Sequence, residues 1–290
     1  MVSFTKKELE MFQNVQAKAK LEAKMLKKHF FDKKIRVLGV SGSARSLTDM
    51  SKENSTSEWL LEKCLNEIKH LGAETKMISL RDFDIKPCKA CYSTTNAHCH
   101  YKCSCYPEGE FGDEMTNKLY DDLSWADIIV FATPVNNFKI SSMMSLFMDR
   151  MISMDGSLYP ADPKNPKDLN LNKMHTDFIE QNASNKISSG YLRRFAGKVG
   201  GFIVSGHEEG ASLAISQMYM TLSHYGFIFP PFSNMYAMST VTKTTKNDKS
   251  IQETDFYSDE AKLLAKNLFE LSKALKKSKN YSWAYDGRIN

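Results

Sequence analysis

Residues Asp127–Ala132 read Asp-Ile-Ile-Val-Phe-Ala, an apolar run with no polar alternation after its first residue. Such a run is too short for a core helix and is rich in β-branched and aromatic residues. It describes a strand buried on both faces, which in water means the middle of a parallel sheet covered by helices. The neighbouring segments fit that frame. Ile35–Val40 is a second short β-rich run, and Ser55–Leu71 follows with helical spacing at Trp59, Leu60, Cys64, Ile68 and Leu71. Thr75–Leu80 reads as a strand and Glu114–Leu123 as a helix. Ser142–Ile152 is helical, Val199–Val204 a strand, Ala211–Gly226 a helix, and Asp259–Lys277 the last helix. The fifth strand is expected to begin at Gly226–Phe229. Strand and helix in regular alternation predict an α/β protein with a doubly wound, five-stranded parallel sheet.

That core accounts for residues 35–280 of the 290. Residues 1–34 form an extension whose apolar positions Leu9, Phe12, Val15, Leu21 and Met25 predict a helix lying against the domain or a partner subunit. Residues 281–290 are a tail. Two stretches interrupt the alternation: a cysteine-rich loop at 87–107 and an insertion at 155–196, rich in Asn, Lys, Pro and Ser. Loops of that length in a compact domain are usually functional or interfacial. The N-terminal helix and the insertion both add surface that one domain does not need, so a homodimer or homotetramer is expected, with one of these two covering the neighbour's site.

The net charge of +5 is carried largely by lysines of the N-terminal stretch and the last helix. No basic run is interleaved with aromatics, so these read as solvated helix faces and no nucleic-acid partner is expected. No membrane-length apolar segment and no secretory leader pattern stand out, which predicts a cytoplasmic protein with reduced thiols.

In a doubly wound sheet ligands bind at the carboxyl ends of the strands. Three loops meet that condition. After the first strand comes Ser41-Gly42-Ser43-Ala44-Arg45-Ser46, where small residues let backbone N–H groups converge on an anion, Arg45 can fork onto a phosphate, and the next helix start supplies its positive end. It has neither the dinucleotide glycine spacing nor a Walker lysine. After the third strand comes Thr133-Pro134-Val135-Asn136-Asn137-Phe138, and after the fourth Ser205-Gly206-His207-Glu208-Glu209-Gly210-Ala211. Asp149-Arg150 reads as a helix-end ion pair.

The strings VLGVSGSARS, IIVFATPVNNFKISSMMSLFMDR and GGFIVSGHEEGA resemble, in order and spacing, the NAD(P)H-dependent FMN reductase and iron–sulfur flavoprotein group of flavodoxin-like proteins. The resemblance covers roughly Ile35–Met154 and Gly197–Phe229. It implies that Ser41, Ser43 and Arg45 bind the FMN phosphate, with Ser55 or Ser57 at the next helix start. It also implies that the Thr133 loop meets the flavin ring through Pro134, Val135, Asn136, Asn137 and Phe138, and that Gly206, His207 and Gly210 line its far edge. Two departures stand out: the extra residues Leu47–Asn54 after the phosphate loop, and Asn136 where relatives carry an aromatic residue. The implied activity is hydride uptake from NAD(P)H by FMN, with electrons passed to a quinone, free flavin or small electrophile. The alternative is an electron carrier that exchanges with a redox protein such as ferredoxin. No catalytic acid or base is assigned.

Five of the six cysteines, Cys88, Cys91, Cys99, Cys103 and Cys105, fall within the loop after the second strand, with His98 and His100 between them. Cys64 belongs to a helix's apolar face. Three readings of the loop stay open. Cys88, Cys91, Cys99 and one of Cys103 or Cys105 are the candidate ligands of a [4Fe-4S] cluster, as the resemblance implies. Zinc held by Cys88, Cys91 and two of the remaining Cys or His residues is chemically equivalent in donor count. Reduced thiols without metal are the third.

Overall fold

The computed structural model describes residues 2–48, 50, 52–93, 98–109, 112–182, 190–206, 210–238, 252 and 254–278. Five parallel strands form the sheet: β1 Arg36–Ser41, β2 Glu74–Ser79, β3 Ile128–Asn136, β7 Val199–Gly206 and β8 Asn234–Met238. Their order is β2-β1-β3-β7-β8. Numbering only the parallel strands, this is 2-1-3-4-5. The short β4, Lys139–Ile140, pairs antiparallel with the end of β3.

Ile128, Ile129, Val130, Phe131 and Ala132 are fully buried, as an unbroken apolar central strand requires. On one face lie α2 Thr56–His70 and α7 Asp255–Lys277, which close over Val37, Val130 and Ile203. The other face is covered by α3 Tyr120–Trp125 with the π-helical turn that leads into it, α4 Ser142–Met151 and α6 Ala211–His224. β1 is thus followed by a helix on one face and β3 by a helix on the other. A crevice opens between such strands, at their carboxyl ends. No described helix is long and apolar enough to cross a membrane.

The fifth strand differs from the expectation. Ile228 makes one isolated bridge to Val199, and the strand lies at Asn234–Met238. Phe227 and Phe229 point inward instead and pack on Phe131, Phe195 and Phe202. Asp149-Arg150 is also corrected. Arg150, 1 % exposed, reaches Asp113 with a two-pronged pair at 2.8 Å in each prong. It also donates to the Lys86 carbonyl at 2.7 Å, and the Lys86 N–H donates to Asp113 at 3.0 Å. The base of the cysteine loop is therefore clamped to the end of α4.

The extension and the insertion fold onto each other within one chain. α1 Lys6–Phe30 starts in a capping box, with the Thr5 N–H donating to Glu8 at 2.7 Å and the Glu8 N–H donating to the Thr5 hydroxyl at 3.3 Å. The insertion contains β5 Asp155–Ser157, α5 Leu169–Asn182 and β6 Leu192–Arg193. Phe12 of α1 stacks on His175 of α5 at 5.0 Å and packs on Phe178, in a small core separate from those of the sheet. Arg194, fully buried, holds Glu22 of α1 through two bonds of 2.8 Å. Removing one partner of a buried pair leaves the other charge without compensation. Glu22→Ala is therefore expected to cost about 3–5 kcal/mol in chemical denaturation. A loss under about 1 kcal/mol, the range of surface pairs, would contradict the clamp.

Candidate functional site

The candidate site is the carboxyl edge at the β1–β3 junction. Ser41 ends β1, beside Ala132 of β3 and Ser79 of β2, while Pro134 lies opposite Ser205 of β7. The loops expected from the sequence are thereby brought to one edge, apart from His207, Glu208 and Glu209, which lie outside the described residues.

The loop after β1 is tightly held. The Gly42 N–H donates to the Ala132 carbonyl at 2.7 Å, and the Ser141 hydroxyl donates to the Gly42 carbonyl at 2.6 Å. Ser141 also caps α4 by accepting from the Met144 N–H at 3.2 Å. A side chain at position 42 would come within 2.9 Å of Met144 Cβ, so only glycine lets β1 and α4 meet. The Arg45 N–H donates to the Ser43 hydroxyl at 3.2 Å. At the start of α2, Ser55, Thr56 and Ser57 are buried, and the Ser55 and Ser57 hydroxyls are 2.9 Å apart. Ser55 gives α2 no side-chain cap, and Thr56 Oγ1 is buried with no hydrogen-bond partner among the described residues. A buried hydroxyl without a partner is costly. Together with an uncapped helix N-terminus and a small-residue loop, it fits an anion such as a phosphomonoester.

Two residues not expected from the sequence organise this loop. Glu58, in the first turn of α2, takes a forked contact from Arg81 at 2.5 and 2.8 Å, and accepts from the Ser41 hydroxyl at 2.7 Å. Arg81 also reaches the Ser43 carbonyl at 3.5 Å. Burial works to raise the Glu58 pKa, but the bonds from Arg81 and Ser41 outweigh it and hold the carboxyl below its ordinary value. The Ser41 hydroxyl is thus committed to shaping the loop. Thr133 is similarly committed: its buried hydroxyl accepts from the Ser141 N–H at 3.1 Å and donates to the Pro134 carbonyl at 3.0 Å.

Across the crevice, Asn137 and Phe138 both have left-handed backbone, at φ 51 and 63. They form the two-residue turn between Asn136 and Lys139, which face each other in register. Phe138 occupies the second turn position, where glycine is usual, and is 60 % exposed. A Cβ at Gly210 would fall 2.5 Å from Phe138 Cα, so glycine there is what lets the two loops touch. The arrangement places the small-residue loop and the start of α2 on one side and a turn with an exposed aromatic ring on the other.

The cysteine loop does not assemble the expected ligand set. Among the described residues no three Cys, His, Asp or Glu side chains are arranged to hold a metal ion. The contacts link four of the thiols in a row. Cys105 donates to Cys91 at 3.7 Å, Cys91 bonds to Cys99, and Cys103 bonds to Cys105. Cys88 instead accepts from the Ala90 N–H at 3.4 Å, and His100 is bonded to Ser104 at 2.7 Å. The bond from Cys105 pulls the Cys91 thiol down, but its own bond to Cys99 and burial push it up to about 11. Its bond to Cys105 and burial push Cys103 up as well. These thiols point at one another rather than at a shared centre, and neither the [4Fe-4S] nor the zinc expectation finds support in the geometry.

Strand order, two-sided helix cover and the loops at the switch point define a flavodoxin-like α/β protein. Residues 35–166 match the model of the NADPH-dependent FMN reductase family. Two archaeal proteins described as iron–sulfur flavoproteins align with this region. One, from Archaeoglobus fulgidus, is 33 % identical over 114 residues, or 39 % of this chain and 49 % of its own length. Another, from Methanocaldococcus jannaschii, is 32 % identical over 116 residues, or 40 % and 51 %. The match therefore spans about half the length of each relative. Among solved structures, RosB with a bound 8-demethyl-8-formylriboflavin-5'-phosphate intermediate superposes with a TM-score of 0.58 at 18 % identity, covering 84 % of this chain and 81 % of RosB. By these comparisons the chain is similar to the NADPH-dependent FMN reductases and to iron–sulfur flavoproteins over its first sheet strands, and it shares its fold with RosB.

Arg81→Ala strands the Glu58 carboxylate beside the loop that would face a phosphate dianion. The FMN dissociation constant is expected to rise at least tenfold, about 1.4 kcal/mol, in a flavin-fluorescence titration, with Arg81→Lys recovering only part. Because the Glu58 pKa is depressed in the folded state, its contribution to stability is present above its ordinary value of 4.5 and is lost as pH falls through the folded value. Glu58→Gln should flatten the acid-unfolding curve in that window, by a modest amount since the group is partly exposed.

Proposed function

We propose that this chain is an FMN-dependent oxidoreductase. The observation that carries the reading is the buried Thr56 hydroxyl, without a partner among the described residues, at an uncapped helix N-terminus that follows the small-residue loop at the sheet's switch point. Ser43, Arg45, Ser55, Thr56 and Ser57 would hold the phosphate. Pro134, Val135, Asn136, Asn137, Phe138, Gly206, His207 and Gly210 would border the ring. When bound, FMN supplies hydride chemistry, accepting a hydride from NAD(P)H and passing electrons to a quinone, free flavin or small electrophile.

The chain's own residues bind and orient. Ser41 and Thr133 fix the two loops through Glu58 and Ser141, and Gly210 allows the Phe138 turn to close against the third loop. Backbone N–H groups of the Pro134–Phe138 segment are the donors available to a ring edge, and Phe138 offers it an aromatic wall. The reading also takes the protein as a cytoplasmic homodimer or homotetramer. The archaeal relatives' description favours a second reading, an electron carrier exchanging with a protein such as ferredoxin. The absence of a metal grouping among the described residues weighs against it.

Anaerobically purified protein is expected to show a flavin absorbance spectrum, to release FMN on denaturation, and to bleach on addition of NADPH or NADH. Release of FAD, or a protein that neither contains nor binds flavin, would sink the reading. Flavin that resists both nicotinamides but exchanges electrons rapidly with reduced ferredoxin would favour the carrier.

A further inference from the structure

Cys91 and Cys105 are fourteen positions apart in sequence, yet their Sγ atoms lie 3.7 Å from each other. Both are half-buried, and both open onto a cavity of about 370 Å³. Lys89, His98 and Lys167 line the same cavity, and no carboxylate does among the described residues. Lys167 is supplied by the insertion, so the cavity exists only where the insertion meets the cysteine loop. Cys64, by contrast, is fully buried among aliphatic side chains, where burial pushes its thiol up to about 12.

Three features distinguish this pair from packing thiols. The sulfurs are already in contact. They are reachable through a cavity large enough for a small molecule. The cavity's charged groups are cationic, which favours an anionic reactant and stabilises a departing thiolate.

We propose that Cys91 and Cys105 form a redox-active dithiol that reduces small anionic disulfides entering this cavity. Cys91 gives up its proton as it attacks one sulfur of the substrate R–S–S–R, and that proton ends on the departing thiolate. A Cys91–S–R bond forms, the substrate S–S bond breaks, and one RS⁻ leaves beside Lys89 and Lys167. Cys105, deprotonated, then attacks Cys91 Sγ, which breaks the Cys91–S–R bond and releases the second RS⁻. The two thiols give up two protons and two electrons, the substrate becomes two RSH, and the protein keeps a Cys91–Cys105 disulfide. Closing the contact to a bond of about 2.05 Å needs a shift of less than about 2 Å. The reaction uses neither flavin nor nicotinamide, so it stands or falls independently of the proposed oxidoreductase activity.

The test uses the full chain, reduced and purified anaerobically, with dithiobis(nitrobenzoate) as the dianionic probe and dithiodipyridine as the neutral one. The native protein should release both halves of the dianionic probe, and peptide mapping without reductant should recover a Cys91–Cys105 crosslink. Cys105→Ser should stop after the first half, leaving the mixed disulfide on Cys91, while Cys88→Ser should behave as the native protein. Replacing Lys89 and Lys167 together by Gln should slow the dianionic probe on the order of tenfold and leave the neutral probe unchanged. A crosslink mapping to another pair would overturn the proposal. So would a pair that reacts only after unfolding, or iron and acid-labile sulfide in stoichiometric amounts lost on Cys91→Ser.

Discussion

The buried pair between Arg150 and Asp113 is the interaction on which the rest of the molecule's arrangement hangs. Arg150 is at the end of α4 and Asp113 is where the chain returns from the cysteine loop. Burying two charges is costly, and Coulomb attraction offsets that cost only when hydrogen bonds complete the shell. Here the Lys86 carbonyl and the Thr116 hydroxyl take two further guanidinium bonds, only Nε is left without a partner among the described residues, and the Tyr106 ring lies 4.8 Å from the guanidinium. A hydrophobic pair of similar volume would fill the space as well. It would not bind both ends of a loop, Lys86 and Asp113, to one helix. At the other end of α4, Ser141 grips the backbone of the loop after β1 at Gly42. Ten residues of helix, about 15 Å, thus form a strut between the candidate flavin edge and the base of the thiol loop.

At the upper end of that strut the division of labour among hydroxyls follows from Glu58. A carboxylate in the first turn of a helix is favourable in itself, since it faces the positive end of the helix dipole. Near a phosphate it would be repulsive, and Arg81 removes the conflict by covering both of its oxygens. Ser41 is then drawn to the carboxylate, away from any ligand. The hydroxyls not drawn to Glu58 are those of Ser43 and of the α2 start, where the Thr56 hydroxyl has no partner among the described residues.

Strand β3 was legible because its burial on both faces leaves a one-dimensional trace, and the alternation with helices carried the fold class. The fifth strand was not. Asn-Met-Tyr-Ala-Met at 234–238 has an edge strand's alternating burial but no β-branched residue, whereas Phe227 and Phe229 have strand-like composition and serve as core rings instead. The insertion's helix was hidden by a segment rich in Asn and Lys, whose apolar residues face only a small core shared with α1. Arg81 and Glu58 are 23 positions apart, and nothing local in either marks the other. The thiol loop failed for the same reason. Spacing put Cys88 and Cys91 in one ligand set, but the thiols that meet Cys91 are Cys99 and Cys105, from farther along the loop.

The material added to the flavodoxin-like core is placed with respect to that loop rather than to the carboxyl edge of the sheet. Arg194, held by Glu22 of α1, lies 3.8 Å from the Tyr101 ring, and Tyr101 in turn packs on Tyr120 and Tyr159. Tyr159 donates its hydroxyl to Glu22 as well, at 2.7 Å. A single carboxylate on the N-terminal helix therefore ties the insertion, through Arg194 and Tyr159, to the middle of the cysteine loop. A five-stranded domain with two large apolar cores has no need of such bracing for its own stability. What the bracing does supply is a fixed wall, Pro166 to Leu169, opposite Cys91 and Cys105. An exposed loop of this length would otherwise sample many conformations and keep its thiols apart, so the extension and the insertion convert a cysteine-rich excursion into a shaped cavity.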